Sequence, residues 1–170
     1  MRFLGTKSSL PLSKAITILS GDDCSHFAVH FEALGLVLHS NLVGIHCDLD
    51  DIFFSDKVKV VHDIKIDMGL VQEVKALREF QKNLKARVQE RKSGYDMGAL
   101  FYQGWALVLW RLFKKPIPQK NEWANRDRFL CTELYDMLPD WIYPVVLEFE
   151  DMGMVRPSQM FAFWGSRKPV

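Results

Sequence analysis

Ser25-His26-Phe27-Ala28-Val29-His30-Phe31 alternates polar and apolar side chains and puts a histidine at the opening of what reads as a β-strand. Downstream stands Phe129-Leu130-Cys131-Thr132-Glu133-Leu134-Tyr135, which reads as the first turn of a helix with a cysteine at its start. A thiol at a helix N-terminus has its ionised form favoured, and an imidazole can accept its proton. The pair points to cysteine chemistry. His26 would be the base and Cys131 the nucleophile, with the thiol held within hydrogen-bonding reach of the ring and its pKa lowered.

Between and around these stretches the periodicity predicts an α+β chain. A helix is expected over Leu12 to Leu19, before the Gly21-Asp22-Asp23 turn, while residues 1–10 show no clear period. Strands are expected at about His26–Glu32, Leu36–His39, Leu42–His46 and Val58–Ile66. In the last of these, Val58, Val60, His62, Ile64 and Ile66 should share one face. Leu70 to Val88 carries Leu70, Val74, Leu77, Leu84 and Val88 at helical spacing among charges and reads as an amphipathic helix. Asp96 to Phe113 is apolar almost all round and reads as a buried helix. Pro116 and Pro118 form a rigid connector, and Pro139 ends the helix that bears Cys131. Pro157 opens a final turn.

His39 follows His26 at hairpin spacing, through a tight turn at Ala33-Leu34-Gly35. A group there would hold one ring nitrogen of His26 so that the other faces the thiol. His46 or an upstream acid is the alternative for that role.

The order of these segments resembles the circularly permuted branch of the papain-like NlpC superfamily, which includes the YiiX-like amidases and the lecithin:retinol acyltransferase group. Ser25 to Val29 is similar to that branch's S-H-h-(A/G)-h strand and Cys131 to Leu134 to its C-(S/T)-E-L helix start. Gly94-Tyr95-Asp96 and Val155-Arg156-Pro157-Ser158-Gln159-Met160 are weaker matches. The resemblance implies a single domain over residues 1–170, with a small antiparallel sheet packed against helices in the permuted papain-like manner. It also implies a triad of Cys131, His26 and His39 acting through a thioester. The implied substrate is a small-molecule, peptide or lipid acyl compound, and no cofactor or metal is called for.

Composition narrows the alternatives. In the 170 residues, Lys plus Arg number 22 against 21 Asp plus Glu, so the net charge of +1 gives no field that would favour nucleic acid. Three cysteines and no recognisable signal segment predict free thiols and a cytoplasmic setting. The longest apolar stretch, Met97 to Phe113, is interrupted by Gln103, Gly104 and Arg111 and falls short of the ~20 residues of a bilayer span, so no integral membrane segment is expected. Cys24 and Cys47 read as incidental thiols, the tryptophans chiefly as core, and Glu133 as a residue that caps or solvates its helix.

Two other classes compete with the enzyme. One is a non-catalytic binding or assembly protein that keeps the fold. The other is a metal-binding protein using Cys24, His26, His30, His39, His46, Cys47, Asp48, Asp50 and Asp51, although their spacing fits no standard zinc pattern.

Overall fold

A five-stranded antiparallel sheet in the order β4-β3-β2-β1-β5 organises the chain. The structure, a computed structural model, describes residues 1–41, 44–54, 57–87, 94–118, 120, 122, 128–142 and 154–165. Its strands are β1 (Arg2–Ser8), β2 (His26–Phe31), β3 (Leu36–Asn41), β4 (Gly44–Leu49) and β5 (Val58–Lys65). The helices are α1 (Pro11–Ser20), a short α2 (Asp50–Phe53), α3 (Leu70–Arg87), α4 (Met97–Phe113) and α5 (Pro157–Gly165). Two residues each of β6 (Gly94–Tyr95) and β7 (Arg128–Phe129) form a small parallel pair. The protein is α+β. Leu42, Val88 and Trp123 lie outside the described residues, as does the side chain of Trp164.

Local chemistry accounts for the boundaries. Pro11 opens α1, whose missing N–H costs nothing there, and Gly21 closes it in the left-handed region, donating its N–H to Thr17. The Asp96 carboxylate caps α4 by accepting the Ala99 N–H at 2.9 Å. Between β2 and β3 the expected tight turn is a short 3-10 segment, Glu32–Leu34, ended by Gly35 at φ 63°.

The two sheet faces are unequal. Phe27, Val29 and Phe31 of β2 enter the main core with Phe3, Phe80, Cys131 and Leu134, whereas Ala28 faces a smaller cluster with Leu4, Val37 and Phe53. Cys131–Met137 is a 3-10 segment, not the expected α-helix. It packs on the main-core face, and its far end is held where the Asn83 side chain of α3 donates to the Met137 carbonyl at 3.0 Å.

Three further expectations are corrected. Residues 2–8 are not aperiodic coil but β1, a central strand buried on both faces, which removes the alternation that would reveal it. The apolar residues of β5 do not share a face. Gly5 pairs with His62 but Thr6 with Val60, so a bulge at Val61 reverses the parity, sending Val58 and Val60 to the small cluster and Ile64 to the main core. Finally, α4 is buried only through Ala99, Ala106 and Leu107, while Phe101, Trp105 and Leu112 stand 59–69% exposed. A helix apolar on every side is fully covered only if neighbours surround it. No helix among the described residues is long and apolar enough to cross a membrane.

At the bulge, Gly5 lets two rings lie on β1. A Cβ added there would stand 2.7 Å from Phe161 Cε2 and 3.0 Å from His62 Cδ2. Gly5→Ala is therefore expected to lower unfolding stability by about 1–3 kcal/mol through overpacking, measured by urea denaturation. An unchanged midpoint would show that the rings give way freely.

Candidate active site

Cys131 and His26 are brought together through the first peptide of β2. The thiol is only 4% exposed, and the backbone N–H groups of Phe27, Thr132 and Cys131 itself lie near it and favour its ionised form. Phe27 N–H belongs to the peptide that joins Phe27 to His26, so the sulfur lies beside the backbone from which the His26 side chain springs. No hydrogen bond joins the thiol to the His26 ring among the described residues. The thiol belongs to the main core, and the His26 ring follows Ala28 to the other face. The direct contact expected from the two motifs is thus replaced by one through the peptide.

His26 and His39 meet as the hairpin spacing requires. Ala28 is the partner of His39 in the β2–β3 ladder, and the two imidazoles stand edge-on with centroids 5.6 Å apart and planes at 83°. His39 is 7% exposed and is fixed by Asp48 of β4, whose Oδ2 lies 2.9 Å from His39 Nε2. Its Nδ1 is buried without a hydrogen-bond partner. The Phe53 ring packs against it at 5.0 Å, and His46 stands on its far side with centroids 6.0 Å apart. Asp48 is the partner of His39 that the hairpin argument missed. It sits opposite Val37 in the β3–β4 ladder, a register that spacing alone does not specify.

These rings open onto a cleft of about 560 Å³ whose walls include Ser13, Ser25, His26, His39, Asp48 and Phe53. The Ser13 and Ser25 hydroxyls are 2.6 Å apart and hold α1 to the residue before His26. The remaining sequence candidates go elsewhere. His30 lies 3.7 Å from Asp50, Cys47 is exposed on β4, and Cys24 is buried. The nine donors of the candidate metal constellation do not gather into one centre. Among the described residues the donor atoms that do converge are those of Asp23, Cys24 and His62.

Electrostatics separate this site from an ion pair. Burial pushes the Cys131 thiol up to about 11 against the three N–H groups that favour the thiolate, and the Glu133 carboxylate adds to the rise. Burial, with His39 adding to it, pushes His26 down to about 3. The expected lowering of the thiol pKa is thus reversed, because a seven-residue 3-10 segment supplies a few N–H groups but burial removes the water. Neutral thiol and neutral imidazole are the resting forms.

No protein-family model, no curated protein and no solved structure matches the chain.

The His26 shift carries a pH signature. Its folded pKa lies below the unfolded 6.5, so below that pH the unfolded chain takes up a proton that the folded one refuses. Stability from this residue is complete above 6.5 and falls as pH drops towards 3, by up to about 1.4 kcal/mol per pH unit. His26→Gln is expected to flatten the pH dependence of urea stability in this window, and superimposable slopes for the two proteins would contradict the assignment.

Proposed function

We propose that this chain is a cysteine hydrolase or acyl-transfer enzyme of the permuted papain-like kind, with Cys131 as nucleophile, His26 as base, and His39 held by Asp48 as the group that orients His26. The observation that carries the reading is that the Cys131 thiol lies beside the Phe27 N–H, which brings the two motifs together at one peptide. The His39–Asp48 contact at 2.9 Å supports it from the other side, since it leaves His39 Nδ1 as the ring atom available to a neighbour.

Reaction follows from these positions. For reaction the His26 ring, which rests across β2 from the thiol, must turn about its Cα–Cβ bond towards sulfur. An acyl carbonyl then approaches the start of the 131–137 segment, His26 takes the thiol proton as sulfur attacks, and the thioester forms as His26 returns that proton to the leaving group. Water or another acceptor then resolves the thioester. The Cys131 backbone N–H is the natural oxyanion donor, a kind of contact worth ~3 kcal/mol to the transition state. With both groups neutral at rest, His26 acts as a general base during attack, not as the standing counter-ion of a thiolate. The acyl group that this site takes is a small-molecule, peptide or lipid one.

The shielding of the thiol favours one rival, a binding protein that keeps the fold without the chemistry. Incubation with p-nitrophenyl acetate, followed by peptide mass spectrometry, separates the two. The hydrolase reading expects an acetyl group on Cys131, none in Cys131→Ala, and acylation slowed by about 10²–10⁴ in His26→Ala, with smaller losses in His39→Ala and Asp48→Asn. Acetylation confined to the exposed Cys47, or a rate indifferent to His26, gives the binding reading the lead.

A further inference from the structure

We propose that Asp23, Cys24 and His62 form a binding site for a zinc-like divalent metal ion, tying the segment that leads into β2 to the sheet-edge strand β5. Asp23 Oδ1 and His62 Nε2 are 2.9 Å apart, and with Cys24 Sγ the three donor atoms all lie within 4.8 Å of one another. Nitrogen, sulfur and oxygen together suit a borderline-soft ion such as Zn²⁺. Bonds of 2.0–2.3 Å in a tetrahedral site set ligand atoms roughly 3.3–3.8 Å apart. The observed spread brackets that range, so shifts of the order of an ångström would bring the donors onto an ion.

The donors come from segments separated by a strand. Asp23 and Cys24 precede β2, His62 belongs to β5, and β1 runs between those strands. Two features of β1 make the meeting possible. The bulge after Gly5 sets the direction of His62, and bare Gly5 leaves room for its ring, which stacks on Phe161 with planes 9° apart and centroids at 4.9 Å. That stacking fixes the ring with Nε2 towards Asp23. The adjacent Asp22 is already engaged by Arg156 at 2.9 Å, so Asp23 is the carboxylate left for this role.

Access and charge fit as well. Cys24 is fully buried, while the side chains of Asp23 and His62 are 55% and 31% exposed, so an ion would enter from their side and keep a solvent position there. The Cys24 thiol would release its proton to solvent as sulfur takes the metal. Lys7 lies near the Asp23 carboxylate and opposes the ion. Because Ser25 and His26 follow Cys24 directly, an occupied site would fix the approach to the His26 ring from outside the cleft.

Co²⁺ is the probe, added to the full chain, because a thiolate bound to it gives a near-ultraviolet charge-transfer band. The proposal expects this band in wild type, Cys47→Ser and Cys131→Ser, its loss in Cys24→Ser, and Zn²⁺ affinity at least about tenfold weaker in His62→Asn and Asp23→Asn. Zn²⁺ should raise the melting temperature of wild type and not of Cys24→Ser. The absence of a band, a band lost in Cys47→Ser or Cys131→Ser instead, or Zn²⁺ binding unchanged in His62→Asn would overturn the site. His62→Asn decides the matter should Cys24→Ser fail to fold, since His62 stands at the sheet edge.

Discussion

A buried carboxylate needs partners, and the arrangement around Cys131 depends on how those of Glu133 are supplied. Glu133 is 4% exposed, so it does not solvate its segment; it caps it, as one of the two expected roles. One oxygen accepts the Leu130 N–H at 2.7 Å, and the other is 2.6 Å from the Arg87 guanidinium at the end of α3. Uncompensated, such a charge would cost several kcal/mol. Paired, it fixes the residue before Cys131 against α3, while Asn83 of the same helix holds Met137 at the other end. The position of the thiol is therefore set from outside its own segment, by α3.

The same enclosure decides the state of the site. Core packing that brings the thiol to the first peptide of β2 also strips it of water, and the backbone N–H groups recover only part of the loss. His26, half-buried at the cleft on the other face of the sheet, is pushed down by its own desolvation and by His39. A thiol raised and an imidazole lowered leave the proton on sulfur.

How much of this was legible in the sequence depended on whether local pattern or pairing set the feature. Strands β2 and β3, helix α3 and the His26–His39 neighbourhood follow from periods and hairpin spacing, which local residues dictate. Strand β1 was hidden because Phe3 to Thr6 are all buried, and a strand covered on both faces has no alternation to read. The reversal of parity in β5 was hidden because a bulge belongs to the pairing of two strands rather than to either one. Asp48 was visible as an acid near His46 but not as the partner of His39, since the β3–β4 register decides that. Cys131 was legible as a residue and its environment was not, because shielding by the main core is a tertiary property.

The strand order explains why the two proposed sites are linked in space although they share no residue. With β1 between β2 and β5, the backbones of β5 and β2 cannot pair, so any contact between them must cross over β1 through side chains. His62 and Phe161 make that crossing above Gly5, and Phe161 in turn packs on Phe27 with centroids 6.2 Å apart. Phe27 is the residue whose N–H reaches the Cys131 thiol. A continuous set of packed rings therefore runs from the Asp23–Cys24–His62 cluster to the peptide beside the Cys131 thiol. Any ion that tightened the cluster would press on the end of β2, whose first peptide lies between the thiol on one face and the His26 ring on the other, because close-packed rings pass a displacement on instead of absorbing it.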